Sequence, residues 1–442
     1  QYDVWSRTVA DAAPPGAPVE GAKLPVTGLD TAGTEPVRGA ARRLPREWRR
    51  VARQAALMWL GTRVAFALLT YFALLFATSG PHKPGPPQTG FISIAPHFLL
   101  SAWERWDAVP FLFIAQHGYT TAGNGAFFPL YPLLTGAVTL VVGSAHALLA
   151  AMVVSNLGAL AAFIGLALLA ASESNPSKEG PSDSVEPFAA LRIFAAYPFA
   201  FLLVAPYADG VFLGLAFFAL YCLRGRLWRW AALCVFLATL TQPTGLILVA
   251  PLVWEYWKER GGGVRVRRGT AAGNAALVAL AGPAALLLFA GYLAVRFGQP
   301  LAFIQSRSLY WQYTRDPIWT ALPFGTTSYL VVPGWSYGQL VTVTSVVLLV
   351  GVAVVTAVVW QRMPGSFRLY MVGLLAACGV ALVVAPDAFR SPGPMLLAAV
   401  PIFLVLGRAS RRRPSVDMLL VGCGFLIQAA LALVWLAGLS PV

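Results

Sequence analysis

The 442-residue sequence predicts an all-α polytopic integral membrane protein, and three observations carry that prediction. Hydrophobic residues make up 58% of the chain and charged ones only 11%, whereas a soluble domain carries about 25% charged residues. Apolar runs of about 20 residues recur, each long enough to cross a bilayer. The Lys and Arg residues behind the formal net charge of +14 fall in short clusters between those runs. That is the pattern of cytoplasmic loops under the positive-inside rule, and it favours a membrane protein over a nucleic-acid-binding one. Cys222, Cys234, Cys378 and Cys423 all lie inside apolar runs, so they imply neither a zinc site nor a disulfide framework.

Taken in order, residues 1–50 are rich in Pro, Gly and Ala without hydrophobic periodicity, and read as a disordered cytoplasmic arm. Residues 51–442 form the transmembrane domain. Six arginines, Arg42, Arg43, Arg46, Arg49, Arg50 and Arg53, precede the first apolar run at 55–78 and hold that end inside. Residues 79–126 become a long first extracytoplasmic loop, whose "FISIAPHFLLSAWERW" portion reads as an interfacial helix. Charge parity then requires 127–143, interrupted by Pro129 and Pro132, to be a re-entrant or surface element. It also makes 230–257 a short helical hairpin turning outside at "TQPTG". Crossings near 146–171, 188–205, 207–223, 271–297, 337–360, 367–386, 394–408 and 417–438 complete a bundle of roughly eleven transmembrane helices with its C-terminus outside. The segments "WERWDA", "FFPLYP", "APYADG", "TQPTG", "FGQPLAFIQSRSLYWQ" and "PDAFRSPGP" then gather toward the external face.

Those segments hold the candidate chemistry. Asp107 has two readings: a general base, or an interface residue paired with Arg105 or a helix N-terminus. Glu104 lies three residues earlier and shares its face on a helix. Asp209 is an ionisable residue between two apolar runs, a functional candidate or a helix cap. Arg390, near Asp387, either binds a phosphate or forms a local ion pair, and Arg307 and Arg315 repeat the idea more weakly. Tyr131 in "FFPLYP" belongs to interfacial packing or to the wall of a lipid pocket. His82, His97, His117 and His146 lack metal-ligand spacing. No P-loop, Rossmann glycine pattern or nucleophile elbow appears, so a nucleotide-sugar donor is not expected.

The stretches "RWDAVPFLFIAQHGY", "AFFPLYPLL", "YPFAFLLVAPYADGVFLGLAFFALY", "LATLTQPTGLIL", "FGQPLAFIQSRSLYWQ" and "FRSPGPMLLAAVPIFL" follow one another between about residues 100 and 405. Together they resemble the phosphatidylinositol-glycan class V family, the GPI mannosyltransferase 2 type and its bacterial relatives. These are GT-C class membrane glycosyltransferases. Relatives commonly have Arg where this chain has Gln242, Glu where it has Asp209, and an Arg-Tyr pair where Ser391 follows Arg390.

The resemblance implies an inverting mannosyltransferase that moves mannose from a polyprenyl-phosphate-linked donor to a lipid-linked or glycolipid acceptor. It implies a bacterial cell membrane, an extracytoplasmic active site, and neither metal nor cofactor. Asp107 would be the catalytic base with Glu104 beside it, and Arg390 and Arg307 would bind the donor phosphate. Trp106, Tyr131, Asp209, Gln242 and Gln305 are the candidate substrate-binding residues. A lipid or sugar-lipid transporter is the alternative, since it also uses intramembrane charges and broken helices.

Overall fold

The computed structural model describes residues 48–76, 96–173, 187–261, 268–310, 337–384 and 392–436. The N-terminal arm, Arg315, and the loop carrying Asp387 and Arg390 lie outside the described residues, as does the side chain of Arg307. Among the described residues every element is helical. The order is α1 (Trp48–Phe76), α2 (Pro96–Ser101), α3 (Ala108–His117), α4 (Leu130–Val142), α5 (Ala147–Glu173), α6 (Pro187–Ala195), α7 (Asp209–Arg224) and α8 (Trp228–Thr241). Then come α9 (Val249–Gly261), α10 (Arg268–Phe297), α11 (Ala302–Tyr310), α12 (Tyr337–Val359), α13 (Gly365–Val384), α14 (Pro392–Met395), α15 (Val400–Arg412) and α16 (Pro414–Leu436).

Among the described residues, five helices are long and apolar enough to cross a membrane, falling within α1, α5, α10, α12 and α16. A sixth span results if α14 and α15, bent by 74° at their junction, count as one. Roughly eleven crossings were expected. Several of them fall on shorter or interrupted helices, because prolines and polar motifs break the apolar runs. α4, expected not to cross, has 13 residues, about 20 Å against a hydrocarbon core of about 30 Å. The region 230–257 is a hairpin: α8 ends at Gln242, a 3₁₀ turn runs Pro243–Leu248, and α9 returns. Trp228 at the start of α8 meets Tyr256 near the end of α9, ring centroids 5.2 Å apart.

One end of the bundle is tied by ions. Arg224, closing α7, grips Glu173 at the end of α5 with two nitrogens, at 2.6 and 3.1 Å. Its third nitrogen reaches Glu255 of α9 at 3.3 Å, and Ser366 at the start of α13 donates to the same carboxylate at 2.6 Å. Arg226 pairs with Glu259, and Arg192 of α6 with Asp417 of α16. This is the end that the basic clusters assign to the cytoplasm, so the acidic residue Glu173 there neutralises a neighbouring arginine.

The core forms where α5 and α7 press together. Gly210 lies against the Ser155 carbonyl, and Gly214 against that of Gly158. The spacing Gly210-x-x-x-Gly214 clears a strip on α7, and any Cβ at Gly210 would run into the α5 backbone. Close backbone approach of this kind supplies the dispersion contact that holds helices together in lipid.

The crossing expected at 188–205 is a broken one. After α6 the chain runs from Ala196 to Ala208 as turns and a 3₁₀ segment. Every residue from Ala189 to Ala208 except Arg192 is buried. Unwound backbone at that depth must find internal partners, and side chains on three surrounding helices supply them. Arg63 of α1 donates to the Leu203 carbonyl at 3.0 Å, Asn156 of α5 to Val204 at 3.2 Å, and Ser155 to Ala205 at 2.7 Å. Gln428 of α16 donates to Ala195 and Tyr197 at 3.1 and 2.9 Å.

Candidate active site

The "WERWDA" stretch divides its labour by residue. Trp103 points inward, 2% exposed, and its indole donates to Thr70 of α1 at 3.1 Å. Trp106 is 41% exposed and leans on Trp435 of α16 at 6.2 Å. Its φ of 54° is a left-handed conformation that a bulky residue adopts only when its surroundings enforce it. Arg105, between them, donates to Ala102 and Leu436 carbonyls, both at 3.1 Å. Burial lowers its pKa, and the adjacent Tyr207 phenol opposes that shift. The Arg105 guanidinium is thus engaged with two backbone carbonyls.

Asp107 is half-buried at the N-cap position of α3, yet its side chain does not cap the helix. Glu104 is also half-buried, in the turn just before. The chain here is a turn, not a continuous helix, so the two carboxylates do not share a helical face.

Asp209 and Gln242, from two separate motifs, meet. The Gln242 amide donates to Asp209 Oδ1 at 3.1 Å, and Thr244 donates to Gln242 Oε1 at 3.3 Å. They face a cavity of about 50 Å³, whose far wall is Tyr370, Leu374, Pro394 and Ala398. That space holds a few waters and not a hexose. Asp209 opens α7, and its carboxylate accepts from Gln242. α7 has 16 residues, about 24 Å, while α16 has 23, about 34 Å.

Tyr131 is fully buried, and its hydroxyl donates to the Ala151 carbonyl at 3.0 Å. Phe111 packs on it edge-on at 5.0 Å, so it locks α3 and α4 onto α5. Gln305 is exposed on α11, away from full burial. The "FFPLYP" and "FGQPLAFIQ" motifs touch through Phe128 and Phe303 at 5.9 Å, and just outside them Ser306 donates to the Ala122 carbonyl at 2.8 Å. Arg390 lies outside the described residues, and Arg307 is placed by its backbone alone. Among the described residues no cluster of three His, Cys, Asp or Glu gathers to hold a metal.

Sequence reasoning missed the tyrosines and amides that tie these motifs together. Tyr207 donates to the Arg105 carbonyl at 2.9 Å, and Tyr197 to the Gly393 carbonyl at 2.7 Å. Arg63, Asn156 and Gln428 were visible as lone polar residues in apolar runs, which is the available signal.

Fold and site together define a multi-pass, all-helical membrane protein with a polar site built where its broken helices meet. Residues 71–257 match the family described as mannosyltransferase (PIG-V). The human GPI alpha-1,6-mannosyltransferase 2 is 33% identical over 176 residues, which cover 38% of this chain and 35% of that protein. The Cricetulus griseus protein of the same name is 35% identical over 159 residues (35% of this chain, 32% of that one), and the Rattus norvegicus one 32% over 180 (38% and 35%). The chain spans about a third of the length of these curated relatives. Over that region the chain is similar to that family. The matched residues include Glu104, Trp106, Asp107, Tyr131, Asp209 and Gln242, and exclude Gln305, Arg307 and Arg390.

Proposed function

We propose that this chain is an inverting mannosyltransferase that uses a polyprenyl-phosphate-linked mannose and a lipid-linked or glycolipid acceptor. The reaction takes place at the extracytoplasmic face of a bacterial cell membrane. The observation that carries this reading is the half-buried Asp107 carboxylate. It stands at the head of α3 without capping it, beside an exposed Trp106 in a strained backbone conformation. Backbone strain of this kind clusters at chemical sites.

In the proposed reaction Asp107 accepts the proton of the acceptor hydroxyl as that oxygen attacks the anomeric carbon. The bond from the anomeric carbon to the phosphate oxygen breaks on the opposite face, which inverts the configuration and releases the polyprenyl phosphate. Arg390, with Arg307 as second candidate, balances the charge that grows on the leaving phosphate. Glu104 tunes the local field, Trp106 offers an aromatic face to the sugar or lipid, and Asp209 and Gln242 hold polar groups deeper in the site. Tyr131 acts from below by fixing α4, and Gln305 lines the approach. No cofactor or metal takes part in this scheme.

Purified protein incubated with labelled polyprenyl-phosphate-mannose and membrane lipids tests the reading. A labelled mannolipid that depends on active protein supports it. Label that crosses the bilayer unchanged, with no new product, replaces it with the transporter alternative.

A further inference from the structure

The two tryptophans of "WERWDA" are used in opposite ways. Trp103 is buried and bonded to Thr70, whereas Trp106 is exposed at a φ of 54°. A tryptophan that only anchors a helix at the membrane surface needs no left-handed backbone. A bulky side chain holds one only where its neighbours enforce it. Here both flanking peptides are held. The Arg105 carbonyl accepts the Tyr207 hydroxyl at 2.9 Å, and the Arg105 guanidinium is fixed on the Ala102 and Leu436 carbonyls. On the other side the Trp106 carbonyl accepts the Val109 amide at 3.2 Å. The indole so placed meets Trp435 of α16, ring centroids 6.2 Å apart and planes tilted by 43°. Trp435 is itself wedged edge-on by Phe201 at 5.8 Å and Tyr207 at 5.9 Å. It is 7% exposed, and its indole N–H has no hydrogen-bond partner among the described residues. Glu104 and Asp107 bracket Trp106 in the same turn, both half-buried.

We propose that Trp106, backed by Trp435, is a sugar-binding face whose occupant is a pyranose ring of the acceptor, and that Arg105 is the positioning residue that holds it. The ligand class follows from the chemistry around the rings. An indole offers a flat apolar face with one polar N–H at its edge. An alkyl chain would match the face but would strip water from two neighbouring carboxylates and give no hydrogen bond in return. A pyranose matches both. Its C–H face lies on the indole, and its hydroxyls donate to carboxylate oxygens, which accept more than one hydrogen bond each. A ring hydroxyl settling against the pair also gives the Trp435 N–H the acceptor it lacks. Trp435 lies outside the matched residues 71–257. The choice of the acceptor's ring rests on the proposed reaction, in which Asp107, the residue next to Trp106, must reach the attacking hydroxyl.

The test titrates the full chain in nanodiscs with octyl α-mannopyranoside, with octanol as the tail-only control, and reads tryptophan fluorescence; empty nanodiscs correct for partitioning into lipid. The parent should give a saturable change with the mannoside and none with octanol. Trp106→Ala should weaken that binding by about tenfold or more, the loss expected of a Trp anchor. Trp435→Phe, which keeps an aromatic ring and removes the N–H, should weaken it by about fivefold. Arg105→Gln should fall with Trp106→Ala, and Arg105→Lys, which still reaches a carbonyl, should recover part of the affinity. Trp106→Gly should melt above Trp106→Ala, because glycine takes that backbone without strain. In turnover, Trp106→Ala should raise acceptor KM about tenfold more than donor KM. A rise confined to donor KM would overturn the assignment to the acceptor. Octanol binding as well as the mannoside, or parent-like affinity in both tryptophan variants, would overturn the sugar face. A lower Tm with unchanged affinity in Arg105→Gln would overturn the positioning role. If no mannosyl transfer is found while the mannoside still binds through Trp106, the proposed reaction fails and the sugar face stands.

Discussion

The two ends of this bundle are held by different forces. At the end assigned to the cytoplasm, charge meets charge: Arg224 bridges Glu173 and Glu255, Ser366 completes the node, and four helices are fastened by side chains that are at most 20% exposed. Toward the other end the fastening is neutral or half-neutral. Tyr207, Tyr197, Arg105 and Gln428 all donate to backbone carbonyls, and Glu104 and Asp107 are half-buried nearby. A paired carboxylate is a poor proton acceptor, because its partner stabilises the charged form. Ion pairs therefore fasten one end of the bundle, and hydrogen bonds to backbone carbonyls the other.

The largest effect that would sharpen this contrast is at Asp107. Asp107→Asn keeps the shape but cannot take a proton, and turnover should fall by about 10²–10⁴ with Tm unchanged. Initial-rate assays in nanodiscs decide it; a parent-like rate would move the base to Asp209. Glu104→Gln should lose clearly less than Asp107→Asn in the same assay.

At the other end the expectation reverses. Arg224→Met strands two largely buried carboxylates, and loss of one partner of a buried pair costs about 3–5 kcal/mol of stability. Thermal denaturation should register that loss while the rate per folded molecule stays near the parent value. A variant that keeps its Tm and loses turnover would break the division between the ends.

Gly210→Val probes the core shared by both ends. Forcing a side chain against the Ser155 carbonyl should cost about 1–3 kcal/mol by overpacking, read as a lower Tm. Because Gly210 adjoins Asp209, some loss of rate should accompany it. The smallest effect is expected at Gln242. Gln242→Ala removes one hydrogen bond to Asp209, worth about 1 kcal/mol, and should lower kcat/KM by about tenfold or less without changing Tm.

Much of the fold was legible in the residues because its signals are local. A run of apolar side chains announces a span, and clustered Arg residues orient it. Thus α5, α10, α12, α13 and α16 begin and end within a few residues of the expected crossings. The hairpin at "TQPTG" was legible because Pro243 and Gly245 interrupt one apolar run between two basic loops. Of the candidate site, the meeting of Asp209 with Gln242 was foreshadowed only as two motifs on one face.

The sequence by itself determined the class of protein, the sidedness of its charges and the short list of polar residues that lipid would not tolerate unpaired. Only the tertiary structure decided which partners they take. Arg105 reaches a carbonyl 331 residues away, Gln428 reaches 231 and 233 residues back, and Arg63 crosses 140 residues to Leu203. It also decided that 188–205 breaks instead of crossing as one helix. Hydropathy counts only how apolar a segment is. An unwound segment is as apolar as a helical one, and what permits it is the set of donors that other helices bring to its carbonyls.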